Sequence, residues 1–504
     1  MDGGYGGNCG IFASAAASER MMEVKRESQF ALAWAFALCA AVALVGAHAV
    51  AQNPSSADNP FYGSVTVQTM TSEPLRLSLD DAVARGLKTN LGLKEAEAGE
   101  LQLKGLENEA LQEFLPSISL SGGTGVHEHN LAAQGFGPGT LSKFGALFPN
   151  GLPPGLSLIT KDELTQGQIN FSQTLFSGPV IAGLKAAKAA RRVAYFAKMT
   201  ARGEVVQQVA TAYLRAVTAQ SEVDNRIAQV RTDQVALEHA VAAHDAGTVA
   251  HLDVLRARVQ LEADQHAQIA AENEHEKDLI LLKREIGVAP GQKIELTDPA
   301  PYSDLAEQTH EELLASAFKY RQDYQNLQNQ VIELRAVHSA YRAQRLPSLK
   351  FSGYWGTDTV NGAGTHGNFA AVGTLSVPIF REASLRGNED ASEAQLVAVR
   401  NQLTDLRVKI DQQVQTAVLD VTAARKLVDV ARSNVDLAKQ ALSDETERVQ
   451  AGVDDNLPLV TAQASLATAE SNMVESLYQY NLAKLNLARA TGVIELEYKQ
   501  YLGN

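Results

Sequence analysis

The sequence has 504 residues, of which 45% are hydrophobic and 20% are charged, and this composition excludes a wholly disordered chain. The formal net charge of −14 leaves few cations to neutralise phosphates, so we expect no nucleic-acid partner. Beyond the N-terminal region no apolar run reaches the ~18–20 residues of a membrane-spanning helix, which excludes a polytopic helical membrane protein.

Residues 1–51 have the three-part layout of a secretory signal peptide. A basic pair precedes an apolar, alanine-rich stretch, and small residues follow up to Ala51, near which we expect cleavage. The residues before Met21 are interpreted as a start-site extension. Both cysteines, Cys9 and Cys39, precede the predicted cut, and we do not expect lipidation at Cys39. The mature product is therefore expected to be exported, acidic and free of disulfides.

The rest of the chain is an imperfect tandem duplication. Residues 204–288 match residues 409–493 without a gap at a shift of 205, with 21 of 85 positions identical. An earlier block, which includes two Leu-Pro-Ser triplets, matches at a shift of 231. The period exceeds the 20–50 residues of a solenoid repeat, so we expect two copies of one larger unit. The predicted divisions are a linker at 52–76, repeat 1 at 77–288, a linker at 289–308, repeat 2 at 309–493 and an extended tail at 494–504.

Each repeat is predicted to begin with one helix. Ser78 and Thr309 stand at the expected N-cap positions, and an acid three residues later completes a capping box in each case. The helix body is rich in Leu, Ala, Glu and Gln. It is expected to end at the proline of the Leu-Pro-Ser triplet.

Two strand-like segments follow in each repeat. Apolar and polar residues alternate in them with a period of two, so that Leu349, Phe351 and Trp355 fall on one face. Such a sheet also occurs in soluble α+β proteins, where its apolar face packs on helices. Here the helices have their own apolar spacing, and strands of about ten residues with outward aromatic side chains are typical of outer-membrane barrels. The predicted strands lie near 116–130, 164–177, 347–357 and 368–380.

A long helical hairpin is predicted to complete each repeat. Residues 180–246 and 383–451 lack proline, and each stretch would extend roughly 100 Å as a single helix. Four strands cannot enclose a lumen, because small barrels need about eight. We therefore expect an α+β membrane protein in which three copies form a trimeric twelve-stranded β-barrel, continued by a long α-helical barrel of coiled-coil hairpins.

The chain resembles the TolC-like outer-membrane efflux proteins over about residues 77–493. The resemblance rests on the capped helix at 77–83, the Leu-Pro-Ser triplets, the Val-Pro-Ile-Phe segment at 377–380 and the Ala-Gly motif with Asp-Val-Leu at 246–257. It implies a homotrimeric exit duct of a tripartite efflux or type I secretion system, set in outer-membrane lipid and extending into the periplasm. The implied partners are a periplasmic adaptor protein and an inner-membrane transporter. The substrate is left open.

The turns of the two hairpins supply the candidate functional residues. In the family that the chain resembles, these turns lie at the periplasmic tip, where adaptors dock and the tunnel narrows. The candidate constriction acids are Asp253, Asp454 and Asp455, and the candidate tip contacts are Gly247, Gly452, Arg448, Leu252 and Leu457.

Ordinary structural roles remain open for these tip residues. A glycine commonly ends a helix, and an acid at a helix start is a favourable partner for the helix dipole. The chain also departs from the pattern of the resembled family. That family carries an arginine four residues before the turn glycine, where copy one has Ala243, and an acid six residues after it, where copy two has Pro458.

No enzyme signature is present in the sequence. It lacks Gly-x-Ser-x-Gly, His-Glu-x-x-His and phosphate-loop motifs, so we expect no enzyme and no cofactor. We also expect no metal site, and interpret His127 and His129 at a strand end, and the histidines near the first tip, as solvated surface. The alternative function is a periplasmic coiled-coil adaptor or scaffold without a pore, which would use the same long helices.

Overall fold

A computed structural model describes residues 59–130, 159–298, 302–306, 308–361, 364–451 and 456–503. The predicted signal peptide at 1–51 lies outside the described residues, as do Gly452, Asp454 and Asp455 of the second tip. None of the described helices combines the length and the apolar composition needed to cross a membrane.

The first half of the chain runs from a short strand through two helices, two long strands and a helical hairpin. The turn of the hairpin lies at 246–250, between its two helices. The elements are β1 (Leu75–Leu77), α1 (Leu79–Thr89), α2 (Leu91–Gln112), β2 (Ser117–Asn130), β3 (Ile159–Phe176), α3 (Gly178–Asp245) and α4 (His251–Glu285).

The second half repeats this order. It adds one short helix after the second hairpin, where the sequence predicts an extended tail. The elements are β4 (Ile294–Leu296), α5 (His310–Tyr320), α6 (Gln322–Ala343), β5 (Ser348–Val360), β6 (His366–Ser376), α7 (Glu382–Gln450), α8 (Asn456–Ala490) and α9 (Ile494–Leu502).

Two helices, rather than the single one expected, open each repeat. The predicted caps are present, since Ser78 accepts from the Asp81 amide and Thr309 forms a full capping box. The helix then breaks at Asn90, which has an extended backbone and accepts from the Leu93 amide as a new N-cap. The equivalent helix break in the second repeat lies at Arg321, which also has an extended backbone. No proline stands at either break, and Gly86 and Gly92, which flank Asn90, have no glycine counterparts near Arg321, so the sequence pattern did not reveal the breaks.

The C-terminal helix α9 is held by polar contacts to the first repeat. The Tyr498 hydroxyl donates to Asp80 Oδ1 at 2.7 Å, and Lys499 contacts the same carboxylate at 2.5 Å. Arg202 on α3 donates to Glu495 at 2.6 Å. These contacts explain why the segment is helical rather than an extended tail.

The four long strands form one antiparallel sheet in the order β2-β3-β5-β6. The central pair, β3 and β5, joins the two repeats, with Ile169 opposite Trp355. The short strands β1 and β4 form a separate parallel pair that ties the start of repeat 1 to the segment between the repeats.

The helices pack around the long helix α3, which contacts α2, α4, α6 and α8. Its middle portion carries Val205, Val209 and Tyr213, all nearly inaccessible to solvent, and these form the centre of the largest apolar cluster. The Tyr213 hydroxyl donates to the Leu77 carbonyl at 3.1 Å, which fixes the start of repeat 1 on this helix. In the other half, α7 packs against α6 and α8.

Candidate functional site: the sheet faces and the hairpin tips

One face of the four-stranded sheet is apolar and exposed. A row of four side chains crosses it in register, with Leu120 opposite Ile169, Ile169 opposite Trp355, and Trp355 opposite Phe369. Leu120 is 82% exposed, Trp355 65% and Phe369 78%. Side chains of this size are rarely left in water in a continuous row, so this face requires an apolar environment.

The opposite face of the sheet is polar. Ser121, Gln168, Gly356 and Asn368 form the next row in register, and no large apolar side chain interrupts it. The Asn170 amide donates to Ser121 Oγ at 2.8 Å, so neighbouring strands are also linked by side chains. Alternation of apolar and polar residues thus gives one sheet a water-facing side and a lipid-compatible side.

The two outer strands of this sheet, β2 and β6, each have a strand neighbour on one side only among the described residues. Both strands are long, with 14 and 11 residues. An edge of this kind exposes backbone donors and acceptors that pair readily with another strand.

The first hairpin tip lies at the far end of α3 from the sheet. Gly247 has φ +74°, a left-handed conformation, and a Cβ placed there would meet no atom within 4 Å. The glycine is therefore required by the backbone angle and not by crowding. The amides of Gly247 and Thr248 donate to the carbonyls of His244 and Ala243, which ends α3 in an ordered turn.

The candidate residues of the first tip do not share one environment. Leu252 is exposed on the first turn of α4, as expected for a contact surface. Asp253 is only 15% exposed, and its Oδ1 lies 3.2 Å from Nη1 of Arg256 one turn later. This ion pair was not predicted from the sequence. The positive charge of Arg256 offsets the negative charge of Asp253.

Only part of the second tip lies in the described portion of the chain. Arg448 is in the last turn of α7, where Nε lies 3.9 Å from Glu445. Leu457 lies in the first turn of α8. Gly452, Asp454 and Asp455 lie outside the described residues.

A buried pair of carboxyl groups within the first hairpin was missed by the sequence analysis. Asp233 on α3 is 2% exposed and faces Asp264 on α4, which is also buried. Burial and the adjacent carboxyl group of Asp264 raise the pKa of Asp233 to about 8. Gln229 and Gln260, each four residues earlier on its own helix, donate to the two carboxyl groups at 3.0 and 2.6 Å.

The second hairpin has no such pair. At a shift of 205 the equivalent residues are Ala438 and Ala469. Two alanines are therefore sufficient for the packing of the two helices at this position. The carboxyl pair occurs only in repeat 1. A comparison of the two repeats position by position could have found it.

Within a single chain, the described residues contain no group of three or more His, Cys, Asp or Glu placed to hold a metal ion. At the first tip, His244 Nδ1 lies 3.1 Å from the Val249 carbonyl, and its ring is 5.5 Å from that of His251.

The model of the outer membrane efflux protein family matches residues 85–288 and 313–493. The chain belongs to this family. The two matched segments fall within the two repeats. Together they include the four strands and both helical hairpins.

Two similar proteins align with more than half of the chain. It is 22% identical over 453 residues to nodulation protein T of Rhizobium leguminosarum bv. trifolii, covering 85% of this chain and 89% of the relative. It is 25% identical over 313 residues to the outer membrane protein OprJ of Pseudomonas aeruginosa, covering 59% of this chain and 63% of that protein.

Solved channel structures share the fold. The outer membrane channel CmeC of Campylobacter jejuni has a TM-score of 0.67 at 15% identity, with 86% of this chain and 92% of that chain covered. The outer membrane channel MtrE of Neisseria gonorrhoeae has a TM-score of 0.66 at 18% identity, with 85% and 95% covered.

These findings confirm the expected fold class of strands continued by long helices, the class of function as outer-membrane efflux, and the location in the outer membrane with an extension into the periplasm. The family is one of channel proteins. Its members form trimeric channels that work with periplasmic adaptors and inner-membrane transporters.

Proposed function

We propose that three copies of this efflux protein close into one passive exit duct, in which twelve strands cross the outer membrane and the helical hairpins form a periplasmic tunnel. A periplasmic adaptor and an inner-membrane transporter would deliver the substrate and supply the energy. The observation that carries the proposal is the sheet, which has a polar face, an apolar face and, in the part of the chain that the structure describes, two edges without a strand neighbour. In lipid such a sheet must close on itself, because its edge groups have no water to pair with.

The contacts between the two repeats are a template for the contacts between protomers. Repeat 2 joins repeat 1 through β5 on β3, and through α6 and α8 on α3. Because β2, α2 and α4 of repeat 1 correspond to β5, α6 and α8, the same arrangement would bring them onto β6 and α7 of the adjacent protomer. Three such junctions close the ring, and both sheet edges are then paired.

The register at this junction follows from the internal match. Strands β2 and β5 correspond at a shift of 231. Strands β3 and β6 must correspond at an even shift, since even-numbered residues occupy the polar face of both. Ser117 on β2 lies opposite Ser172 on β3. The equivalent of Ser117, Ser348 on β5, lies opposite Ser376 on β6. Strands β3 and β6 therefore correspond at a shift of 204.

When these two shifts are applied to a residue pair observed within one protomer, they predict the equivalent pair at the junction between protomers. Gln168 on β3 lies opposite Gly356 on β5. The equivalent positions are Val372 on β6 and Gly125 on β2 of the adjacent protomer. Since the pairing is antiparallel, every other partner along the junction follows from this pair.

The hairpin tips are the proposed adaptor-contact surface, with Gly247, Gly452, Arg448, Leu252 and Leu457 as the contributing residues. Exposure of Leu252 supports this role. We further propose that Asp253, Asp454 and Asp455 line the periplasmic constriction. Since Asp253 is paired with Arg256, we expect it to contribute less to the charge of the pore than the other two acids.

A cysteine cross-link tests the closure. Ser121→Cys and Ser376→Cys, combined in one chain, place two thiols on the polar face at opposite positions of the proposed junction. Oxidation is expected to give covalent dimers and trimers. The matched control combines Ser121→Cys with Leu375→Cys, which points to the apolar face and should give no cross-link. Equal cross-linking in both variants would contradict the register.

Conductance tests the function. Purified protein is expected to migrate as a trimer and to conduct ions in planar lipid bilayers. A folded, non-conducting monomer that stays in the periplasmic fraction would instead favour the coiled-coil adaptor.

A further inference from the structure

The first part of α3 and the strand before it form a stretch without acidic residues. From Leu164 to Gly203 the chain carries six Lys or Arg residues and no Asp or Glu, although the whole chain has 58 acids and a net charge of −14. The matching stretch of repeat 2, residues 369–408 at a shift of 205, carries four basic and five acidic residues. The excess of positive charge is therefore specific to repeat 1.

Half of these six basic residues are paired within the chain. Three form ion pairs with N···O distances of 3.1 Å or less, and these pairs are Arg191–Glu107, Lys198–Glu100 and Arg202–Glu495. The other three, Lys185, Lys188 and Arg192, are exposed and have no carboxylate within 4 Å among the described residues. We call these three residues the basic stripe. Their charge is available to a partner outside the protomer.

The basic stripe lies on one face of α3, on the same side as helix α9. Its residues are separated by three and four positions, a spacing that places side chains on one face of a helix. Arg202, about four turns beyond Lys188 on α3, contacts Glu495 on α9. In the proposed duct this side is the outer surface, because α9 would otherwise obstruct the passage. Adjacent protomers, which meet at β2 and β6, would leave the stripe uncovered, since α3 is flanked by α2 and α6 of its own chain.

The stripe begins just beyond the lipid-compatible face of the sheet. That face extends to the strand ends next to the helices, where Leu375 is exposed. Strand β3 ends at Phe176, and α3 begins two residues later. At 1.5 Å per residue, the three Cα atoms of the stripe lie about 14, 18 and 24 Å beyond Phe176, in chain order. Helical side chains tilt toward the N-terminus, which is here the membrane side, so the charged groups lie closer to the membrane than these values.

We propose that the basic stripe binds the phosphate groups of anionic phospholipids in the leaflet that faces the periplasm. This inference rests on the insertion into the outer membrane that the proposed function requires. The headgroup layer adds about 5–8 Å to the hydrocarbon on each side, which brings the ammonium group of Lys185 to its edge. Bound phosphates would fix the depth at which the barrel sits in the bilayer.

The distance from the membrane ranks the three residues. The attraction of a negatively charged surface falls off within a Debye length, about 8 Å at physiological ionic strength. Lys185 should therefore contribute most, Lys188 less and Arg192 least. A soluble or polymeric anion in the periplasm would approach the helix from the side, so the three residues would then contribute about equally.

Native mass spectrometry of trimers released from nanodiscs tests the proposal. The nanodiscs contain equal amounts of phosphatidylcholine and phosphatidylglycerol, and the wild-type trimer is expected to retain phosphatidylglycerol in preference. Lys185→Gln should reduce this preference by about five-fold, the effect of one cation near an anionic surface. Lys188→Gln should reduce it less, and Arg192→Gln least. Inorganic phosphate at constant ionic strength should not displace the lipid, because a free ion lacks the membrane surface.

A matched control removes three exposed cations that lie on the hairpins, far from the sheet. The combined Arg231→Gln, Arg258→Gln and Lys426→Gln variant should retain phosphatidylglycerol as the wild type does. The triple Gln variant of the basic stripe should lose the preference but still form trimers with unchanged conductance and ion selectivity.

Four results would overturn the inference. If the triple Gln variant of the stripe keeps the preference, the stripe does not bind lipid. Equal effects of the three single substitutions would indicate a periplasmic anion instead, and an altered ion selectivity would show that the stripe faces the passage. In these three cases a conducting trimer leaves the proposed function standing. A preparation without trimers would contradict both.

Discussion

Replacement of Asp233 by Asn should remove a pH dependence from the stability of the first hairpin. Asp233 is buried against Asp264, and its Oδ2 has no hydrogen-bond donor among the described residues. A single proton shared between the two carboxyl groups would satisfy this oxygen and avoid two adjacent buried charges. Asparagine keeps the shape of the side chain and needs no proton.

The size of the effect follows from the titration of Asp233. Its pKa is about 8 in the folded chain and ordinarily 3.8, so between these pH values the folded chain holds one more proton than the unfolded chain. Stability therefore falls as pH rises through this window, and levels off above pH 8. One proton corresponds to at most about 1.4 kcal/mol per pH unit and per protomer, or roughly 4 kcal/mol between pH 5 and pH 8.

Denaturant unfolding of the detergent-solubilised protein, followed by circular dichroism at several pH values from 5 to 9, measures this contribution. Other buried acids, such as Glu285 with a pKa raised to about 8 by burial, act in the same direction. The difference between wild type and Asp233→Asn isolates the pair, and it should change by up to about 1.4 kcal/mol per pH unit.

The control for this experiment is Asp224→Asn on the same helix. Asp224 also accepts from a glutamine four residues earlier, Gln220 at 3.0 Å, but it is exposed. Its substitution should leave the pH profile unchanged. If wild type and Asp233→Asn give parallel profiles from pH 5 to pH 9, the two carboxyl groups share no proton and the reasoning is wrong.

Three further predictions concern the tips and the sheet. Gly247→Ala should destabilise the first hairpin tip by about 1–2 kcal/mol, because φ +74° is strained for alanine, whereas Gly247→Asn should cost less; hydrogen exchange at the tip would measure both. Trp355→Lys should reduce insertion into lipid vesicles by an amount equivalent to about 2–4 kcal/mol if the residue lies near the bilayer midplane, and Ser121→Lys on the polar face should not; equal loss would contradict the assignment of the faces. Asp253→Asn should alter the cation selectivity of single channels only slightly, since Arg256 already offsets its charge; a large change would show that the ion pair does not persist in the trimer.

Local chemistry made much of the fold predictable. The caps at Ser78 and Thr309 and the alternation along β5 depend on neighbouring residues, which a sequence shows directly. The helix breaks at Asn90 and Arg321 could not be found in this way, because their extended backbones are stabilised by residues distant in sequence. Asn90, for example, donates to the Phe61 carbonyl at 2.6 Å.

The candidate sites were harder to predict for the same reason. Gly247 was found because a left-handed turn restricts the residue type. The partner of Asp233 lies on another helix, and the ion pair of Asp253 depends on which rotamers the first turn of α4 allows. Periodicity shows which face a residue occupies, but it does not show what lies opposite.

The strand order β2-β3-β5-β6 also bears on the route by which the protein folds. The central pair β3 and β5 joins segments separated by the entire first hairpin, whereas each helical hairpin closes through a short turn. Contacts between near neighbours form faster than those that close long loops, so the hairpins should be in place while the strands are still searching for partners. During that interval the aromatic residues of the strands are exposed to water and prone to aggregation. The nascent protein would then need a holding chaperone on its way to the outer membrane, and the strands are the segments that such a chaperone would cover.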